Sequence, residues 1–136
     1  MNDSAGMVID KVIASYYAVF DNRDGRIPDT ERLENIFYPG AIITKRTGNE
    51  IEVMTVREFM LPRKELLTNG SLAEFNEWET ENETIVNNGI ASRISKYEKK
   101  GILNGEQFTG KGTKHFQLLS SKGWKIISLL WEDELG

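Results

Sequence analysis

The chain has 136 residues, 39% of them hydrophobic and 28% charged, which predicts one globular domain spanning residues 1–136 with room for a proper core. Lys and Arg number 17 against 21 Asp and Glu, a formal net charge of −4, which speaks against nucleic acid as the main partner because phosphate binding needs a concentrated positive field. With no Cys there is no disulfide, thiolate nucleophile or cysteine metal site, and the single histidine, His115, leaves no His-rich zinc site, so neither a metal nor another cofactor is expected. The apolar runs are too short to span a membrane, and MNDSAGMVID shows no basic stretch followed by an apolar one, so a cytoplasmic protein without a membrane partner is expected.

In chain order, a first helix is predicted from a cap at Asp3 or Ser4 to about Asn22, with Ile9, Ile13, Tyr16 and Phe20 on one face. A short second helix follows Pro28-Asp29, carries Leu33, Ile36 and Phe37 on its apolar stripe, and stops at Pro39-Gly40. Ala41 to Thr47 reads as a strand that turns through Thr47-Gly48-Asn49 into Ile51 to Met54. A third helix starts at Thr55, which has capping-box spacing to Glu58; Pro62 falls inside it and predicts a kink, and Asn69-Gly70 ends it.

After Leu72 the pattern is all strand. Asn88-Gly89 is a strong hairpin signal, glycines 101, 105, 110 and 112 punctuate the next connection, and Lys122-Gly123 marks another tight turn. The fold class expected is α+β, with three N-terminal helices packed on one face of a curved, mostly antiparallel sheet.

Four stretches carry a resemblance in the expected order: Val12 to Asp21, Leu33-Glu34-Asn35-Ile36-Phe37-Tyr38-Pro39-Gly40, Gly89-Ile90-Ala91 and Gly123-Trp124-Lys125-Ile126-Ile127. In these the chain resembles the nuclear transport factor 2-like superfamily, with its SnoaL-like and cystatin-like cone-shaped domains, over nearly its whole length. The resemblance implies a strongly curved sheet in a cone-shaped α+β barrel, whose concave face and helices enclose a pocket, often with dimerisation through the other sheet face. It implies no single activity, because the superfamily mixes isomerases, dehydratases, polyketide cyclases, transport factors and assembly domains.

Turn positions suggest which side chains face that pocket. A two-residue turn at Asn88-Gly89 pairs Asn87 with Ile90, Thr84 with Arg93, Glu81 with Lys96 and Thr80 with Tyr97. One face then carries Glu77, Glu79, Glu81 and Glu83, an acidic comb that belongs in water. The other carries Asn76, Trp78, Thr80, Asn82, Ala91, Arg93, Ser95 and Tyr97, a mixed wall suited to a small molecule. In the last hairpin a turn at Lys122-Gly123 pairs Leu118 with Ile127, Phe116 with Leu129, Lys114 with Trp131 and His115 with Leu130. By analogy with the superfamily, Lys114 and Trp131 then sit near the pocket mouth, and His115 lies on the outer face.

The candidate ligand-binding set is therefore Tyr17, Asn76, Trp78, Arg93, Tyr97, Lys114 and Trp131. Arg93 can grip an oxyanion bidentately, or instead pair with a helix carboxylate such as Asp21 or Asp24. Tyr16 or Tyr17 offers a hydroxyl donor, although no convincing inward Asp accompanies it, and the Trp131-Glu132-Asp133-Glu134 ending reads as a solvated acidic tail, ahead of the alternative of a carboxylate acting as acid or base at the cavity mouth. Catalytic residues are not assignable. Two readings follow: a pocket for a small, partly hydrophobic, oxyanion-bearing molecule, with cofactor-independent isomerase, dehydratase or cyclase chemistry within its reach; or a homodimeric assembly module with a vestigial cavity, using Leu119, Ile126 and Leu130 around His115.

Overall fold

The computed structural model describes residues 3–134. Helix α1 (Asp3–Ala18) comes first, then two single 3₁₀ turns and a one-turn helix α2 (Leu33–Ile36), a hairpin of β1 (Phe37–Thr47) and β2 (Glu50–Thr55), helix α3 (Val56–Thr68), and four strands: β3 (Leu72–Asn87), β4 (Ile90–Leu103), β5 (Glu106–Ser120) and β6 (Trp124–Asp133). The six strands form one open sheet in the order β2-β1-β6-β5-β4-β3. All neighbours are antiparallel except β1 and β6, which run parallel because the helical segment between β2 and β3 carries the chain to the far edge.

Some of the local signals find their physical counterpart and others do not. Ile9, Ile13, Tyr16 and Phe20 are all buried against the sheet. Both proposed caps of α1 lie inside the helix, and whatever precedes Asp3 is outside the described residues. The capping box of α3 is complete: the Glu58 backbone N–H donates to Thr55 Oγ1 at 3.1 Å, and the Thr55 N–H donates to Glu58 Oε1 at 2.9 Å. Pro62 removes one backbone donor, yet the helix runs unbroken from Val56 to Thr68. Pro39-Gly40, expected to stop the second helix before a strand at Ala41, already lies within β1.

Asn22 fastens the helical layer to the sheet. Its side-chain amide donates to the carbonyls of Leu67 (3.0 Å) and Leu72 (2.8 Å) and accepts from the Phe75 N–H (2.8 Å), joining the end of α1, the end of α3 and the start of β3. The closed-off side of the sheet and the three helices share one core, in which Phe20, Phe37 and Phe116 pack around Tyr16 and Tyr17, and Phe59 packs on Phe20.

Three bulges decide which side chains enter that core. In the β3–β4 hairpin the expected pairs Asn87–Ile90, Thr84–Arg93 and Glu81–Lys96 are present, but Tyr97 pairs with Glu79 rather than Thr80. The extra residue at Thr80 reverses the facing of the residues from Glu79 back to Asn76, because strand side chains alternate. A second bulge lies between Ala73 and Asn76, where Glu74 adopts φ +49°. The β5–β6 turn contains three residues, Ser121 to Gly123, and not two, so Leu118 pairs with Ile126 rather than Ile127. Ile127 bulges out, and from there onward Phe116–Leu129, His115–Leu130 and Lys114–Trp131 pair as expected.

Only Asn104-Gly105 forms the β4–β5 turn; glycines 101, 110 and 112 lie inside strands. Gly112 stands between Tyr97 and Asp133 on one rung across β4, β5 and β6. A Cβ there would overlap the Tyr97 hydroxyl and lie 2.7 Å from the Glu132 carbonyl, so the missing side chain is what lets Tyr97 reach Asp133.

Candidate functional site

Between α1, α3 and the inner face of the sheet lies a cavity of about 380 Å³. Its wall is largely apolar and aromatic (Phe20, Phe59, Leu67, Phe75, Phe108 and Trp131 among others), with Tyr16, Lys45, Arg63, Glu77, Lys99 and Lys114 as the polar groups. The size and make-up suit a small organic ligand held by a few directed polar contacts.

The deep end is built around Lys114. The rung Ser95–Lys114–Trp131–Lys45 crosses four strands and brings its residues inward side by side. The Lys114 ammonium is buried, donates to Glu77 Oε1 at 2.8 Å and to the Tyr16 hydroxyl at 3.0 Å, and stands 4.6–5.7 Å from the ring centres of Tyr97, Tyr16, Tyr17 and Trp131. A buried ammonium needs such compensation from a carboxylate and aromatic faces. Burial, reinforced by the Glu77 charge, pushes the Tyr16 pKa well above its ordinary value, so the hydroxyl keeps its proton.

Asp133 neutralises a second cluster. It accepts from the Tyr97 hydroxyl and, at 3.1 Å, from Lys99, and stands 3.7 Å from Lys45. Burial works against its charge, but the Tyr97 hydroxyl and Lys99 outweigh that and hold its pKa below the usual carboxylate range. The Tyr97 hydroxyl is correspondingly raised, by burial first and by the Asp133 bond second.

Arg63, on α3, is different. Its guanidinium carbon lies over the Phe59 ring, 3.9 Å from the ring centre, and 5.7 Å from that of Trp131. It donates once, to the Phe59 carbonyl at 3.0 Å, and among the described residues no carboxylate pairs with it. Burial lowers its pKa, the signature of a cation short of compensation. Four cations (Lys45, Arg63, Lys99, Lys114) thus line the cavity against the carboxylates of Glu77 and Asp133, and Arg63 is the one left without an ion pair.

Lys114 and Trp131 line this cavity. Tyr17 and Tyr97 are buried behind it, Tyr17 bonded to Ser95 at 2.7 Å; the tyrosine exposed to the cavity is Tyr16. Arg93 is buried away from it, in an ion pair with Glu79 (Nη2 to Oε1 2.5 Å, Nε to Oε2 3.1 Å) and with the helix carboxylate of Asp10 at 2.6 Å. The pairing with a helix is therefore real, but through Asp10 rather than Asp21 or Asp24.

Asn76 and Trp78, expected inward, lie on the outer face, because the Thr80 bulge pairs them with the outward Lys100 and Glu98. The same bulge splits the acidic comb: Glu81 and Glu83 are exposed, while Glu77 and Glu79 turn in to meet Lys114 and Arg93. Thr80 and Asn82 are exposed. Ile126, placed by sequence on the outer apolar face, is fully buried. The terminal segment divides: Glu132 and Glu134 are exposed, Glu132 pairing outside with Arg46 at 2.7 Å, while Asp133 enters the inner network.

Sequence reasoning misses Arg63, Lys45, Lys99 and Glu77. For Arg63 the sequence does hold a signal, its i+4 spacing from Phe59 on a capped helix. Among the described residues no group of three or more His, Asp or Glu side chains is placed to hold a metal ion, and no helix is long and apolar enough to cross a membrane.

No protein-family model matches the sequence, and no curated protein matches it significantly. Solved structures do match the fold. A nuclear transport factor 2-like superfamily protein from Salmonella enterica serovar Typhimurium aligns with TM-score 0.78 at 12% identity, over 100% of this chain and 95% of its own. The hexachlorocyclohexane dehydrochlorinase LinA-type3 from Novosphingobium barchaimii aligns with TM-score 0.72 at 16% identity, over 97% and 88%. A calcium/calmodulin-dependent kinase II association domain-like protein from Exiguobacterium sibiricum aligns with TM-score 0.73 at 8% identity, over 97% and 95%. The chain therefore has the nuclear transport factor 2-like fold, an α+β architecture of three helices on an open mixed sheet. At these identities the likeness carries the fold and not an activity.

Proposed function

We propose that the cavity binds a small, partly hydrophobic molecule carrying an oxyanion, held by Arg63. The observation that carries this reading is the guanidinium itself: lying over Phe59, facing a largely apolar cavity, and without a carboxylate partner among the described residues. A carboxylate placed there would accept two charge-assisted bonds from the guanidinium and relieve its missing compensation. Cofactor-independent isomerisation or dehydration is the reaction class consistent with this site. The protonated Tyr16 hydroxyl stands at its deep end, and one fold neighbour is named a dehydrochlorinase.

Isothermal titration with 2-naphthoate tests the reading. Binding is expected for the native chain, with affinity about 10- to 100-fold lower for Arg63→Met and for the neutral isostere 2-naphthalenemethanol. Equal affinity of acid and alcohol, or no binding at millimolar concentration, would overturn it.

A second reading, that the outer sheet face joins two copies of the chain, rests on one rung. Ile94, His115, Leu130, Thr44 and Val53 lie side by side across five strands, and Ile94, Leu130 and Val53 are 40%, 47% and 61% exposed. A fold neighbour named for an association domain supports the same use of the fold. Sedimentation equilibrium at tens of micromolar, an order-of-magnitude choice suited to weak interfaces, should show a dimer; a monomer there counts against this second use.

A further inference from the structure

The core holds three carboxylates that turn inward, and two of them have both oxygens hydrogen-bonded. Glu79 accepts from Arg93 Nη2 and Asn82 on one oxygen, and from Arg93 Nε and Ser95 on the other. Asp133 accepts from Tyr97 on one oxygen and from Lys99 on the other, with Lys45 3.7 Å away. Glu77 is only half used. Its Oε1 takes the Lys114 ammonium at 2.8 Å, whereas Oε2 accepts nothing among the described residues. The side chain is 8% exposed and lines the cavity, so the surface it keeps is the surface a ligand would meet.

We infer that Glu77 Oε2 is the acceptor for a ligand hydroxyl, and that the cavity selects hydroxylated aromatic or alicyclic carboxylates. This rests on the oxyanion reading above. Arg63, half-buried on α3, takes the carboxylate; Phe20, Phe59, Phe75 and Phe108 flank the apolar body; Glu77, beside the buried Lys114 and Tyr16, takes the hydroxyl at the deep end. One feature of Glu77's surroundings narrows the donor. Lys114 stands 2.8 Å from Oε1, so a ligand ammonium at Oε2 would meet a like charge, whereas a neutral hydroxyl would not. A hydroxyl-free ligand leaves the carboxylate oxygen desolvated and unbonded, which penalises the plain acid and gives the discrimination.

The test compares 2-naphthoate with its monohydroxylated ring isomers by isothermal titration. At least one isomer should bind the native protein about tenfold tighter than 2-naphthoate, the worth of a hydrogen bond to a charged group. In Glu77→Gln that advantage should shrink to about threefold or less, with 2-naphthoate binding at least as tightly as it does to the native protein, because no carboxylate is then left unbonded. The Glu77→Gln/Lys114→Met double variant, which leaves no stranded ammonium, should behave alike and guards against a single variant that fails to fold. If 2-naphthoate binds but no isomer gains more than about threefold, or if the gain survives in both variants, the hydroxyl assignment is wrong and the oxyanion site stands. If 2-naphthoate itself does not bind, the oxyanion site has failed and this assignment with it.

Discussion

Replacing Arg93 with Met separates a structural cation from a ligand anchor. Its guanidinium is 3% exposed and makes two bonds to Glu79 (17% exposed), one to Asp10 (66% exposed) and one to Thr84 at 3.2 Å. The Asp10 contact is largely in water, so its share is below about 1 kcal/mol. The Glu79 contact is not: the substitution would leave a mostly buried carboxylate with only Ser95 and Asn82 as donors, and stranding one partner of such a pair costs about 3–5 kcal/mol. The expected loss is therefore about 3–4 kcal/mol, equivalent to a drop in Tm of about 10 °C or more for a chain of this length. Urea unfolding with an unchanged m-value measures it. The Glu79→Gln/Arg93→Met double variant should recover at least about 1 kcal/mol, since no charge is then stranded. Affinity for 2-naphthoate should be unaffected under conditions where the variant is folded. A stability loss below about 1 kcal/mol combined with a tenfold loss of affinity would refute the argument and return Arg93 to the ligand.

Two further perturbations follow from the inner face. Gly112→Ala should cost about 1–3 kcal/mol in urea unfolding, because its Cβ meets the Tyr97 hydroxyl and the Glu132 backbone. Gly110→Ala should cost less, since its nearest neighbour is the flexible Lys99 Cε at 2.9 Å; equal losses would show that the Tyr97 crossing is not what Gly112 permits. Asp133 has a folded-state pKa below its unfolded value, so it stabilises the fold above about pH 4 and loses that contribution as pH falls through the folded pKa. The stability gap between the native chain and Asp133→Asn should accordingly be wider at pH 7 than at pH 3, and a gap that does not change with pH would contradict the network drawn for Asp133.

Local chemistry determined much of this protein before any tertiary contact is considered. The amphipathic spacing of Ile9, Ile13, Tyr16 and Phe20, the Thr55–Glu58 capping box and the Asn88-Gly89 turn each act over a few residues, and each stands in the fold where the sequence puts it. Because the hairpin turn sets register locally, Thr84–Arg93 and Glu81–Lys96 were also legible. The inner wall was not. Glu77, Glu79, Glu81 and Glu83 recur every second residue and read as a single face, yet the bulge at Thr80 sends two of them inward and two outward. Nothing in the local alternation marks that extra residue. It belongs with the partners across the sheet: Arg93 and Lys114 are buried cations that need carboxylates, and the shifted register supplies Glu79 and Glu77. Trp78 leaves the wall by the same shift, and Arg63 joins it only because α3 folds over Trp131. Turns and helix faces are short-range choices, whereas charge compensation in a core is decided between residues that meet only after the chain has folded.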